Sequence, residues 1–328
     1  MAPSRPPLPR FAYLSDTVAA SAFSFVGGSV DALGWYGLFQ IFTGSITGNI
    51  VIGAAAIVPN VGGYAPRLVA TGVFVCANAF GHTLAYAVGK VSGAPLRRVL
   101  GMLLVLETLA LGAAWIAGAV LRARGELNSI NQPGVAFVAA LYSLAMGLQN
   151  VAVLETCDGY PSTTVVTMTL CKVGASLADC ALLGAAAKGL LPPPATAAPG
   201  EVPAARQKVA AKLFSAACVQ LTKLFCPLIT FALGAFGGAA LQYRIGFHST
   251  SLPMGILLVL LVAAWAPHPD EVKSTTSSSP SSLVDSPKIA QVESPQELSP
   301  VDILLHQQLE ESPKETAKVA LLPQNTSA

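Results

Sequence analysis

The chain has 328 residues, 53% of them hydrophobic and only 11% charged, with a net charge of +2 and a mean hydropathy of +0.59. Soluble domains carry roughly 25% charged residues, so the composition excludes an ordinary water-soluble fold. The near-neutral balance, with no basic block, excludes a nucleic-acid partner. The expected solvent for most of this chain is the lipid bilayer.

Residues 1–18 form a Pro-rich lead carrying Arg5 and Arg10. The first apolar run continues through Asp31, so it reads as a retained helix over 19–39 and not as a cleaved signal peptide. The stretch Thr43-Gly44-Ser45-Ile46-Thr47-Gly48-Asn49 then breaks the run. A short apolar segment over 44–58 follows, ending at Pro59. A Gly-rich loop over 60–67 leads to helices over 68–89 and 96–120, each near the roughly 20 residues a spanning helix needs. A polar loop over 121–134 closes on Pro133-Gly134, and a helix is predicted over 135–154. After a turn, a segment over 164–187 starts behind Pro161-Ser162, a good helix-start signal. Pro192-Pro193-Pro194 marks a linker over 188–205. Residues 206–222 read as an interfacial amphipathic stretch, followed by helices over 224–243 and 252–266.

The predicted fold is all-α: a polytopic membrane domain over 19–266 with about six spanning helices and two short or broken ones. If the segments at 44–58 and 164–187 do not cross, there are six spans; if both cross, there are eight. The positive-inside rule does not choose, because the two arrangements place equal numbers of Lys and Arg on each side. Both put the two termini in the cytosol. The shortness of the 44–58 segment favours six, with Lys90, Arg97 and Arg98 on the side of the N-terminus.

The chain also repeats itself. Gly28-x-x-Asp31 corresponds to Gly147-x-x-Asn150, and Thr47 to Thr167 at nearly the same offset. Phe74-x-x-Ala77-x-x-x-Gly81 corresponds to Phe231-x-x-Gly234-x-x-x-Gly238. Repeat 1 covers about 19–120 and repeat 2 about 135–266. Three spans in each make the repeats inverted, as in many transporters, and four make them parallel.

An ionisable side chain at bilayer depth costs at least about 2.5–3.5 kcal/mol, so each one needs a reason. Asp31 shares a helix face with Gly27, Gly34 and Leu38, which turns it toward protein or a cavity. It is either a proton or cation site or a hydrogen-bond post for the broken segment. Glu107 sits at the centre of its helix, and His82 is expected to reach it across a helical hairpin as a proton-shuttling pair or a neutral clasp. Lys172 and Asp179, seven residues apart, share a face about 10 Å apart and line a cavity or a solvated surface. The Thr- and Ser-rich breaks begin helices, whose free N–H groups suit an anionic group or are simply capped. The candidate substrate-binding set is Asp31, Thr47, Asn49, His82, Glu107, Asn150 and Thr167.

The six cysteines fall mostly in apolar runs without CxxC spacing, and read as small buried hydrophobes. No phosphate loop, HExxH pattern or Gly-x-Ser-x-Gly elbow is present, so neither an enzyme nor a cofactor is expected. Residues 267–328 turn to Ser, Pro, Glu and Lys and are expected to be disordered. Ser-Pro pairs at Ser279, Ser286, Ser294, Ser299 and Ser312 are candidate phosphorylation sites or plain low-complexity sequence.

Residues 19–266 resemble the YoaK-like family of integral membrane proteins, a domain of unknown function. The resemblance rests on Gly28, Asp31 and Ala32; Thr47, Gly48 and Asn49; Gly147, Gln149 and Asn150; Thr163 and Thr164; and Gly234 and Gly238. Many members repeat Thr-Gly in the second half, where this chain has Thr167-Met168. The resemblance implies about six spans and no established substrate. The expected function is a small-solute or ion transporter or channel-like protein. The competing expectation is a membrane scaffold or regulator whose tail binds a cytosolic partner.

Overall fold

The computed structural model describes residues 11, 14–56, 63–92, 94–157, 160, 166–191 and 203–266, and every regular element among them is helical. In chain order these are α1 (Asp16–Gly37), α2 (Ile46–Ala55), α3 (Tyr64–Ala85) with a π-helical continuation (Tyr86–Val91), and α4 (Leu96–Ala123). Then come α5 (Pro133–Thr156), α6 (Val166–Ala187), α7 (Pro203–Ile245), a 3₁₀ turn (Gly246–Thr250) and α8 (Ser251–Trp265). The second break with Thr163 and Thr164, most of the proline linker, and the tail with its five Ser-Pro sites lie outside the described residues.

Among the described residues, five stretches are long and apolar enough to cross a membrane: Tyr64–Gly89, Leu96–Ala123, Pro133–Thr156, Thr169–Ala187 and Gln207–Trp265. The chain is therefore an all-α polytopic membrane protein. α1 is not one of the five, although it holds 22 residues, because Ser, Gly and Asp31 dilute its hydropathy. Fourteen of those residues are buried, so protein, not lipid, is its solvent. Its start is set by Ser15, whose side chain accepts from the Val18 N–H, with Asp16 favourably placed in the first turn. The hydropathic window of α5 is 72% buried and that of α6 only 11%, which puts α5 at the centre and α6 at the periphery.

α1, α3, α4, α5, α7 and α8 alternate in direction. At one end of the bundle the Tyr142 and Thr250 hydroxyls share a hydrogen bond of 2.6 Å. There too Trp115 donates to His248 Nδ1 at 3.2 Å, and the Gly63 N–H donates to Asn131 at 3.1 Å. At the other end Thr17 bonds to the Tyr160 hydroxyl and His82 to Glu155. Arg97 and Arg98, in the first turn of α4, thus lie at the end where α1 begins. Arg67, Arg122, Arg124 and Arg244 lie at the opposite end. That distribution is the one expected of the arrangement in which the short second segment does not cross, and α2, with 10 residues, is about 15 Å long.

Two close helix pairs organise the interior, α1 on α7 and α3 on α5. A Cβ on Gly28 would strike the Phe231 carbonyl oxygen and come within 2.9 Å of the Ala235 nitrogen. A Cβ on Gly147 would meet Phe74 O at 2.8 Å and Ala77 Cβ at 2.5 Å. Only glycine allows backbones to approach this closely.

The second half corrects one expectation. Residues 206–222 are not a separate interfacial stretch: they form the first half of α7, a single helix of 43 residues, about 64 Å long. Pro227 lies inside it, where its missing N–H breaks one rung of the ladder. Nearby, the Thr230 hydroxyl donates back to the carbonyls of Cys226 and Pro227, both at 3.0 Å. Pro227 also marks a change of partner, with α6 packed on the preceding half of α7 and α1 on the following half.

Candidate functional site

The chain leaves α1 at Gly37, turns through Phe39 and Gln40, and re-enters the bundle to begin α2 beside Asp31. Phe39 and Gln40 both take positive φ, 57° and 63°, a left-handed conformation that costs a non-glycine residue roughly 1–2 kcal/mol. The turn is held from both sides. Arg67, 4% exposed, donates through Nη2 to Phe39 O at 3.2 Å and through Nη1 to Gly63 O at 2.8 Å. From inside, the Asp31 carboxylate gathers the re-entering segment. Its Oδ1 accepts from the Thr43 N–H (2.9 Å), the Thr43 hydroxyl (3.1 Å) and the Gly44 N–H (2.7 Å). Its Oδ2 accepts from the Ser45 hydroxyl at 2.7 Å. The positive end of α2 therefore faces the chain's own carboxylate, and the anion position expected at this break is already filled from within.

Asn49 completes the device. Its amide oxygen accepts from the Phe42 N–H at 2.9 Å while its amide nitrogen donates to Phe42 O, closing the loop that leads into α2. Thr47, two residues before it, is exposed. Asp31 remains 6% exposed, and that opening faces a cleft of about 670 Å³. Trp35, Phe42, Phe231 and Phe236 line the cleft, with Ser45 beside the carboxylate and Leu170 of α6 at the far wall. The arrangement joins an apolar, aromatic cavity to one half-engaged carboxylate oxygen. Such a surface takes an apolar body carrying a cation or hydrogen-bond donor.

The other candidate residues disperse. Asn150 does not meet Asp31; it donates to Asn78 of α3 at 2.7 Å. His82 does not reach Glu107. Its partner is Glu155 of α5, at 3.0 Å, on the wall of a separate cleft of about 780 Å³ with Thr83, Tyr86 and Leu96. α3 and α4 make few mutual contacts, so the expected hairpin contact fails and α5 supplies the carboxylate instead. Glu107 is fully buried, and neither of its carboxyl oxygens has a hydrogen-bond partner among the described residues. Thr167 lies in the first turn of α6. Lys172 and Asp179 are both exposed. Among the described residues no cluster of His, Cys, Asp or Glu is arranged to hold a metal.

Sequence reasoning passed over Thr43, Ser45, Arg67 and Glu155 as site residues. Thr43 and Ser45 sat inside the quoted break, so their hydroxyls were a readable signal. Arg67 carried none, because nothing local shows that its side chain turns inward.

The family described as protein of unknown function (DUF1275) matches residues 19–263. The chain belongs to this family. The DUF1275 match takes in α1 with Asp31, the whole re-entrant turn, and α3 to α7, and it stops just short of the end of α8. No curated protein and no solved structure matches the chain.

Proposed function

We propose that this protein is a small-solute transporter or channel-like protein with six membrane-spanning helices built as two inverted repeats. Its solute site is the cleft over Asp31. The observation that carries the reading is the half-engaged carboxylate at the floor of an aromatic cavity, where a helix breaks and re-enters the bundle. Broken helices of this kind place binding sites near the bilayer midplane in transporters.

The duplicated contacts support the repeat. Gly28 meets Phe231 as Gly147 meets Phe74. Asp31 and Asn150 each follow those glycines by three residues; Asp31 accepts from the re-entering Thr43 and Gly44, and Asn150 donates to Asn78 of α3. Only the first carries a charge, so the solute's polar head belongs in the first half.

The preferred solute has an apolar or aromatic body and a cationic or donating head. The test uses purified full-length protein in nanodiscs and a panel of arylalkylamines, followed through Trp35 fluorescence in a background lacking Trp115 and Trp265. Saturable quenching that is lost in Asp31→Asn supports the site. Quenching that is absent throughout, or unchanged in Asp31→Asn, refutes it.

A further inference from the structure

α6 lies antiparallel along the first half of α7, and three contacts set the register. Gln207 donates to Ala187 O at 2.8 Å, a Cβ on Gly184 would come within 3.1 Å of the Phe214 ring, and Cys180 Sγ stands 3.8 Å from Cys218 Sγ. The same register brings Leu170 beside Leu228 in the wall of the Asp31 cleft. α6 packs on α7 alone among the other helices, so one face holds it. Both thiols are free and partly exposed. The hairpin around them carries exposed Lys172, Asp179, Lys188, Lys208 and Lys212, charges that need water and therefore bring water to the sulfurs.

We propose that Cys180 and Cys218 form a reversible redox pair that staples α6 to α7. Closing the bond to about 2.05 Å moves the sulfurs together by less than 2 Å, within reach of small side-chain rotations on two packed helices. The oxidant is hydrogen peroxide. One thiolate attacks it to give a sulfenic acid and hydroxide, which takes up a proton to leave as water. The second thiol then displaces water from the sulfenic sulfur. In sum, two thiols and one peroxide give one disulfide and two waters, with the sulfurs oxidised by two electrons and the peroxide reduced by two. A low-molecular-weight thiol restores the pair by exchange.

The staple holds a helix otherwise secured by one face, and with it Leu170 at the cleft wall. Its formation does not depend on what the cleft binds.

The test uses the reduced full-length protein in nanodiscs, treated with hydrogen peroxide, quenched, denatured and counted with a polyethylene-glycol maleimide. The wild type has six cysteines. Labelling should fall from six to about four, return to six after dithiothreitol, and yield a peptide cross-linked between Cys180 and Cys218 by mass spectrometry. Cys180→Ser and Cys218→Ser should each lose at most one of their five labels, the remaining thiol of the pair being held as a sulfenic acid, and should yield no cross-linked peptide. Retention of six labels in oxidised wild type overturns the proposal, as does a cross-link that maps to other cysteines. Loss of two labels in either single variant overturns it as well.

Discussion

The central test of the re-entrant turn is a pair of substitutions at Asp31. Four donors converge on its carboxylate, two of them backbone N–H groups of Thr43 and Gly44. Hydrogen bonds to a charged group contribute about 1.5–3 kcal/mol each, but four bonds on one carboxylate are not independent. Water entering the space left by the side chain recovers part of the loss. Asp31→Ala should therefore destabilise the protein by roughly 3–5 kcal/mol, a drop in Tm on the order of 10 °C for a chain of this size. Asp31→Asn keeps an oxygen for the three donors on Oδ1, and its new amide donates to the Ser45 hydroxyl, which turns to accept. It should cost only about 1 kcal/mol, since the bonds lose their charge assistance while the burial cost of the charge also disappears. Intrinsic-fluorescence melting of the full chain in nanodiscs reads both variants. An Asp31→Ala melt within 2 °C of wild type refutes the reasoning. Equal losses for the two variants also refute it, because charge and not hydrogen bonding would then hold the turn.

Three further outcomes follow from the packing. Gly28→Ala should cost at least about 2 kcal/mol, because its Cβ meets backbone that has nowhere to move, whereas Gly72→Ala should gain about 1 kcal/mol from helix propensity. The same melts check both, and a tolerated Gly28→Ala would mean that α1 and α7 separate easily. Glu107→Leu should stabilise by about 1–3 kcal/mol by removing two buried oxygens without partners; a lowered Tm would show that the carboxyl is engaged. His82→Ala should change stability by less than about 1 kcal/mol, because its pair with Glu155 is 46% and 39% exposed. A larger loss in thermal or denaturant unfolding would give that cleft a structural weight its exposure does not suggest.

Much of the architecture was legible in order along the chain. Apolar runs near bilayer length, interrupted by Gly, Pro and hydroxylated residues, report local backbone preference and solvent choice. These are properties each segment carries by itself, and α4, α5 and α8 sit close to where that reading placed them. The matching Gly-x-x-Asp and Gly-x-x-Asn segments likewise marked the glycines that meet Phe231 and Phe74. Chain order also hid things. Continuity of α7 was missed, because Arg206, Lys208 and Lys212 make residues 206–222 look like an interfacial stretch apart from the helix over 224–243, and local polarity does not say where a helix ends. Here α6 packs on one side of Pro227 and α1 on the other, and between them they carry the helix across.

The sequence by itself determined that this is an all-helical membrane protein with an acid in its first helix and a break close behind it. Which groups the acids and the histidine face was decided only in three dimensions. Asp31 turns to its own re-entering segment, His82 to Glu155 rather than Glu107, and Cys180 to Cys218 across 38 residues of chain. The reason is geometric. Helical periodicity says which residues share a face, but the partner on the facing helix is set by register and approach distance. Both emerge when glycine contacts and turn lengths are satisfied together.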